Sequence, residues 1–304
     1  MLETLQGRFA HPNVKFSLRD RLVLIELVND FGTASVTTYG GTLLSYVPKG
    51  GKDVLWVSET AVYDGSKPVR GGVPVCWPWF GPYDPAPMGT DPTDAAKKAH
   101  GFARYEFWEV EAVSSLPDGA TQLILSLGPN PSIAKAWPHD FRLQLAVTLG
   151  DKLRVDLIGQ NLSQRDWVVS EALHTYFRVG EAEGLAIRGL EGVQYVDKLR
   201  DQSLLTQTGT LRIAPPLDRV FLDHTGLVTI EDAGHRRAIE LTKEGSASTV
   251  VWNPGEEGAR AFADMPDQDY HAMVCVEACN ALKNSYTLRA GESHTLSMTL
   301  SLAS

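Results

Sequence analysis

Apolar residues recur at every second position over long parts of this chain. Phe141–Leu149 alternates with the odd positions apolar, and Leu153, Val155 and Leu157 resume the pattern after Gly150-Asp151-Lys152. That spacing predicts a β-hairpin with one buried face. Leu296, Met298, Leu300 and Leu302 repeat it near the C-terminus. Residues 22–28 are rich in branched apolar side chains and stop at Asn29-Asp30, as a strand between turns does. Residues 33–47, interrupted by Gly40-Gly41, and the short runs 54–57, 227–231, 238–241 and 249–252 add further strands. Helical periodicity is confined to residues 133–137 and 256–263, stopped by Pro138 and Pro266. Many short strands at roughly 8–12-residue spacing predict an all-β sandwich or barrel. No repeat of a propeller's period is present.

Composition narrows the class. A chain of 304 residues, 43% of them hydrophobic, can bury a large core, and no composition shift divides it, so one domain over 1–304 is expected. No apolar run approaches the ~20 residues of a membrane span, and residues 1–16 carry no apolar leader core, which makes a cytoplasmic location the default and membrane partners unexpected. Cys76, Cys275 and Cys279 are few and odd in number, implying reduced thiols rather than a disulfide framework. A net charge of −9 argues against nucleic acid as a partner. It also requires a local cationic patch wherever an anion is to bind.

One stretch, residues 69–82, holds three prolines, three glycines, two tryptophans and a phenylalanine around the single cation Arg70. Its backbone must be bent and rigid. It reads either as an aromatic pocket wall or as a structural turn with Arg70 reaching to water. Two further residues stand out. His174 lies in residues 170–177, a probable strand, and Glu277 follows an apolar run, in a row with Met273 and Cys275 while Val274 and Val276 face the other way. A carboxylate so deep would have a raised pKa. The plainer alternatives are a satisfied core histidine and a glutamate at the first exposed position after a strand.

The run from Arg70 to Pro82, R-G-G-V-P-V-C-W-P-W-F-G-P, resembles the signature of the hexose-6-phosphate 1-epimerases, a branch of the aldose 1-epimerase (galactose mutarotase-like) superfamily. Further matches follow in order: Ala99 to Arg104 (A-H-G-F-A-R), Trp137 to Phe141 (W-P-H-D-F), Ala172 to Phe177 (A-L-H-T-Y-F), Asp218-Arg219-Val220, Val251 to Pro254 (V-W-N-P) and Val274 to Glu277 (V-C-V-E). The resemblance implies one large antiparallel β-sandwich of the galactose mutarotase-like kind. It also implies cofactor-free interconversion of the α and β anomers of a hexose 6-phosphate, a small-molecule sugar phosphate.

Opening a hemiacetal ring needs a proton delivered to the ring oxygen and another taken from the anomeric hydroxyl. The resemblance makes His174 the acid and Glu277 the base. It makes Arg70 and Arg104 substrate and phosphate contacts, His100 a second pocket histidine, and Asp218 a carboxylate that holds sugar hydroxyls. Guanidinium groups suit phosphate oxygens, although either arginine could instead pair with an acid such as Glu106 or Asp84. Some relatives carry Gln where this chain has Ala99, which removes one phosphate donor; Lys97 and Lys98 are candidate replacements. Trp252 and Asn253 could line the site or form a structural turn.

Other chemistries do poorly. No H-x-H or H-E-x-x-H spacing suggests a metal, Cys275 and Cys279 lack a second pair, and neither a P-loop nor a G-x-S-x-G elbow occurs. The rivals are an epimerase for unphosphorylated aldoses and a carbohydrate-binding protein without turnover. An opposed acid and base speak against the latter.

Overall fold

A computed structural model describes residues 2–84, 98–135 and 137–303. Two large sheets dominate it, and every strand pair in them is antiparallel. The nine-stranded sheet runs Leu211–Arg212, Ala186–Arg188, Val228–Asp232, Arg237–Glu244, Ser293–Leu302, Leu153–Asn161, Phe141–Leu149, Thr121–Leu127, Glu109–Ser115. The predicted hairpin sits in its middle, in register from Phe141 opposite Asn161 to Leu149 opposite Leu153. The second sheet has eight strands. Its path runs Ser203–Thr206, Gln194–Asp197, Leu217–Leu222, Ser248–Asn253, Met273–Asn280, Glu171–Leu173, Val75–Cys76, and Tyr176–Arg178 also pairs with Met273–Asn280. A four-stranded meander, Val14–Arg19 to Thr42–Pro48, contributes Val23, Ile25, Leu27 and Val36 to the same core.

The core lies between the two large sheets. Val274, Val276 and Ala278 share it with Leu296, Met298, Leu300, Leu145 and Leu157, all 0–1% exposed. Each such side chain contributes ~1.5–3 kcal/mol by leaving water. This is the all-β sandwich that the alternation predicts. The helical reading also holds, as a 3₁₀ turn at Ile133–Lys135 and a helix at Gly255–Ala261. The N-terminal helix Leu2–Arg8 was not expected; it buries no residue, and only Leu2 and Leu5 rest on the core. Residues 54–57 make isolated bridges, Leu55 to Phe177 and Val57 to Gly71, rather than a strand of their own. Residues 82–98, whose prolines predict an exposed loop, lie mostly outside the described residues, Pro85, Pro87, Pro92 and Lys97 among them.

Two expectations need correction. Residues 170–177 are two strands, Glu171–Leu173 and Tyr176–Arg178, broken at His174-Thr175, where the Thr175 N–H turns back to the Leu173 carbonyl at 2.9 Å. Glu277 does not end its strand. Met273–Asn280 continues three residues further with all eight positions buried, because small Ala278 and Cys279 fit the packed sheet and the Asn280 amide donates to the Glu171 carboxylate and the Gly245 carbonyl.

Candidate active site

The outer face of the eight-stranded sheet carries the candidate site. Cross-strand pairing sets Asp218 opposite Trp252, Trp252 opposite Cys275, and Cys275 opposite Tyr176. The next row holds Val220, Val250 and Glu277. Leu173 opposite Ala278 and Tyr176 opposite Cys275 belong to one register, so the interval between them brings His174 across from Glu277. The two meet with His174 Nε2 3.5 Å from Glu277 Oε1. The imidazole and the carboxylate therefore stand side by side.

The 69–82 stretch supplies one wall and the backing of the histidine. The His174 N–H donates to the Pro74 carbonyl at 3.0 Å and the Tyr176 N–H to the Gly72 carbonyl at 2.9 Å. Gly72 has φ +68°, and a Cβ there would collide with the backbone carbonyl of Leu43, so only glycine fits. Trp79 and Phe80 line the cavity. Trp77 does not: it is fully buried among Phe102, Trp137, Phe141 and Trp167. Pocket wall and structural turn are thus both true of different residues of one segment.

The cavity has a volume of ≈ 900 Å³, ample for a small ligand, and all six sequence-selected residues border it: Arg70, His100, Arg104, His174, Asp218 and Glu277. Arg70 donates from Nε to Asp264 Oδ1 at 3.2 Å and lies 4.2 Å over the Phe262 ring. Its acidic partner is Asp264, which also meets Lys67 at 3.2 Å. Arg104 donates to the Ala99 carbonyl at 3.0 Å and the Tyr105 hydroxyl at 3.3 Å, while its buried Nε has no partner among the described residues. Glu106 instead accepts from Asn130 at 2.9 Å. Lys98 stacks on Tyr105 at 4.4 Å and does not border the cavity. Asn253 is structural, its amide donating to the Tyr270 and Met273 carbonyls at 2.8 Å each. Trp252 borders the cavity, with its ring 6.0 Å from that of His174.

Burial is the main influence on the ionisation of His174 and Glu277. It pushes Glu277 well above the ordinary carboxylate range; nearby Lys198 and Arg104 oppose that shift and Asp218 adds to it. Burial, then Arg104, lowers His174 to about 3. Burial thus favours the uncharged form of each group, so passing the pair's carboxyl proton from Glu277 to His174 would charge both. Among the described residues, Glu277 Oε2 and His174 Nδ1 are buried without hydrogen-bond partners, a costly arrangement unless a ligand satisfies them. His100, 5.5 Å from the His174 ring, is held neutral by burial and by Arg104. Its Nδ1 accepts from the Gly81 N–H at 3.2 Å.

Sequence reasoning missed Lys198, the third cation on the cavity wall, whose Nζ is 3.6 Å from Asp218 Oδ1. It also missed Asp264, which orients Arg70. Neither has a local signal; only the tertiary fold brings them in, strand pairing for Lys198 and the loop after the helix Gly255–Ala261 for Asp264. Metal-ligand spacing failed similarly, since potential ligand atoms of His174, Cys275 and Glu277 lie within 4.8 Å of one another. Cys275 does not border the cavity, and burial together with Glu277 keeps its thiol protonated.

A β-sandwich with an imidazole and a carboxylate side by side in a cationic cavity is the architecture of a sugar-anomer isomerase. The profile of the family described as aldose 1-epimerase matches residues 23–301. A protein of Escherichia coli (strain K12) named "Putative glucose-6-phosphate 1-epimerase" is 34% identical over 276 residues, 90% of this chain and 89% of its own. One of the same name from Cenchrus ciliaris is 31% identical, covering 85% of this chain and 78% of its own. The crystal structure of "a putative mutarotase (YeaD) from Salmonella typhimurium" superposes with a TM-score of 0.85 at 31% identity, over 96% of this chain and 94% of that one. The chain belongs to the aldose 1-epimerase family.

Proposed function

We propose that this protein interconverts the α and β anomers of a hexose 6-phosphate, with no cofactor. The observation that carries the phosphate is the pair of arginines on the cavity wall with His174 and Glu277, one oriented through Nε by Asp264 and the other with a buried, unpaired Nε. A buried donor without a partner calls for an acceptor, and a phosphate dianion offers several. The names of the relatives from Escherichia coli and Cenchrus ciliaris point the same way. A phosphorylated substrate and three reduced thiols suit a cytoplasmic setting.

In the reacting form the pair's proton sits on His174. The imidazolium gives it to the ring oxygen as Glu277 takes the proton of the anomeric hydroxyl; the C1–O bond of the ring breaks and the aldehyde forms. Rotation about C1–C2 and reclosure, with the proton transfers reversed, invert the centre. Arg104 and Arg70 both disfavour a charged His174. A phosphate dianion between them offsets that field, so the substrate helps to charge its own acid. Asp218 on the same wall holds ring hydroxyls, and His100 lies beside the acid. The test is anomer exchange of glucose 6-phosphate and of glucose, followed by NMR. Faster exchange of the phosphorylated sugar is expected, and equal rates would overturn the phosphate assignment.

A further inference from the structure

Hydrogen bonds fix the rings of several histidines in this protein. His224 has both nitrogens engaged, by Thr249 Oγ1 at 2.8 Å and the Gly189 carbonyl at 2.9 Å; His235 Nδ1 meets Asp232 at 2.8 Å, and His294 Nε2 meets the Gly245 carbonyl at 2.8 Å. His174 has no such tie among the described residues. Its Nδ1 is buried without a partner, and its Nε2 stands 3.5 Å from Glu277, long for a hydrogen bond. What touches the His174 ring is aromatic. Tyr176 stacks on it with centroids 4.9 Å apart and planes 14° from parallel, while His100 at 5.5 Å and Trp252 at 6.0 Å meet it edge-on.

The chain builds this stack locally. Thr175 turns inward, its hydroxyl against the Leu173 carbonyl and the Met298 sulfur, each at 3.1 Å, so residues 174 and 176 both turn outward. Trp56 stacks on Tyr176 in turn, at 5.7 Å and 26°, and its N–H donates to the Tyr176 carbonyl at 2.9 Å. Both rings are buried in one cluster with Met265, Met273 and Cys275, so close packing holds the platform still.

We propose that Tyr176 is the positioning residue of the general acid: its ring, stacked on the imidazole of His174, fixes the imidazole plane without occupying either nitrogen and favours the protonated form. This rests on the reading of His174 as the acid. An orienting hydrogen bond would consume one of the two nitrogens, whereas a stack leaves one for Glu277 and one for the sugar. A ring face also attracts a cation within about 6 Å of its centre, so the same contact favours the imidazolium that delivers the proton. The tyrosine hydroxyl lies near a different group, the Arg70 guanidinium. Ring and hydroxyl can therefore be separated by mutation.

The experiment compares wild type, Tyr176→Leu and Tyr176→Phe by kcat and KM for glucose 6-phosphate and glucose, with the ring signals of His174 in ¹⁵N-histidine-labelled protein, assigned through His174→Asn, as a readout independent of turnover. Tyr176→Leu should lower kcat for both sugars about 10- to 100-fold with KM little changed, the pattern of an interaction that matters in the transition state. Its His174 ring protons should lose the upfield shift that a stacked aromatic face imposes. Tyr176→Phe, which keeps the face, should restore both kcat and the shift. In a folded Tyr176→Leu protein, either a wild-type kcat or unmoved ring signals would overturn the proposal. So would a Tyr176→Phe protein as impaired as Tyr176→Leu, because the role would then belong to the hydroxyl beside Arg70. Should Tyr176→Leu not fold, ring protons without an upfield shift in wild type and Tyr176→Phe would overturn it equally. If His174→Asn exchanges anomers at the wild-type rate, the acid reading fails, while the ring signals still decide whether Tyr176 holds the imidazole.

Discussion

Two carboxylate–imidazole pairs flank the eight-stranded sheet, one on each face, and only His174–Glu277 borders the cavity. His174 and Glu277 meet at 3.5 Å on the outer face; Glu171 and His294 meet at 3.3 Å between the sheets. Glu171 pairs with Asn280, three positions along the same strand from Glu277, an odd number, so alternation sends it to the opposite face. There its Oε1 accepts from Asn280 at 3.0 Å, while His294 Nε2 meets the Gly245 carbonyl at 2.8 Å. Burial raises both glutamates, Glu171 to about 7. Burial alone therefore does not mark a reacting group. The distinguishing features are the open volume beside Glu277 and the cations across it.

The largest expected effect follows from that contrast. Glu277→Gln and His174→Asn should each lower anomer exchange ~10²–10⁴-fold, the range of general acid–base catalysis, with sugar-phosphate binding kept within about tenfold. Glu171→Gln should leave exchange near wild type. Comparable losses at Glu171 and Glu277 would erase the distinction. The wild-type rate should fall on the acid side at a pH above the ordinary carboxylate range, because Glu277 must be ionised to act as base and burial raises its pKa.

Next in size are the arginines. Arg70→Ala and Arg104→Ala should each cost ~1.5–3 kcal/mol, or roughly 10- to 150-fold, in kcat/KM for glucose 6-phosphate and far less for glucose. Arg104→Lys should recover part of the loss. An unchanged ratio between the two sugars in both alanine variants would favour an epimerase of neutral sugars. In Arg70→Ala, Asp264 keeps Lys67 as a partner, so thermal stability should change less than substrate preference.

The interior pair yields a stability effect instead. Burial raises Glu171 in the folded protein to about 7, from 4.5 for a glutamate in water. Its contribution to stability is thus present below pH 4.5 and lost as pH rises through about 7. Denaturant unfolding of Glu171→Gln should show a gain over wild type that is larger at pH 8 than at pH 5 by about 2 kcal/mol. No such pH dependence would mean that Glu171 shares its charge with His294. The smallest expected effect is none: exhaustive chelation should leave the exchange rate unchanged, and a loss restored by one divalent ion would give the His174–Cys275–Glu277 trio a role.

Alternation made the large strands legible, because a half-buried strand must alternate. Residues 141–149 and 153–161 fold as their pattern predicts. The six site residues were reached through motifs, and all six border the cavity. What stayed hidden is what the tertiary fold alone creates. Nothing near Lys198 in the chain points to Asp218, and Asp264 lies 194 residues beyond Arg70. Lys98, the nearer candidate for the charge missing at Ala99, faces Tyr105. The depth of Glu277 was legible from Val274 and Val276, whereas the continuation of its strand rests on Asn280 finding Glu171 and Gly245.

The shared register of Leu173 with Ala278 and Tyr176 with Cys275 has a use beyond chemistry. A slip of one residue between these strands would turn Glu277 into the core and carry its reacting oxygen away from His174. Compaction and strand content would hardly register the error. Turnover would, so its recovery during refolding times the moment when two segments about a hundred residues apart lock into correct alignment.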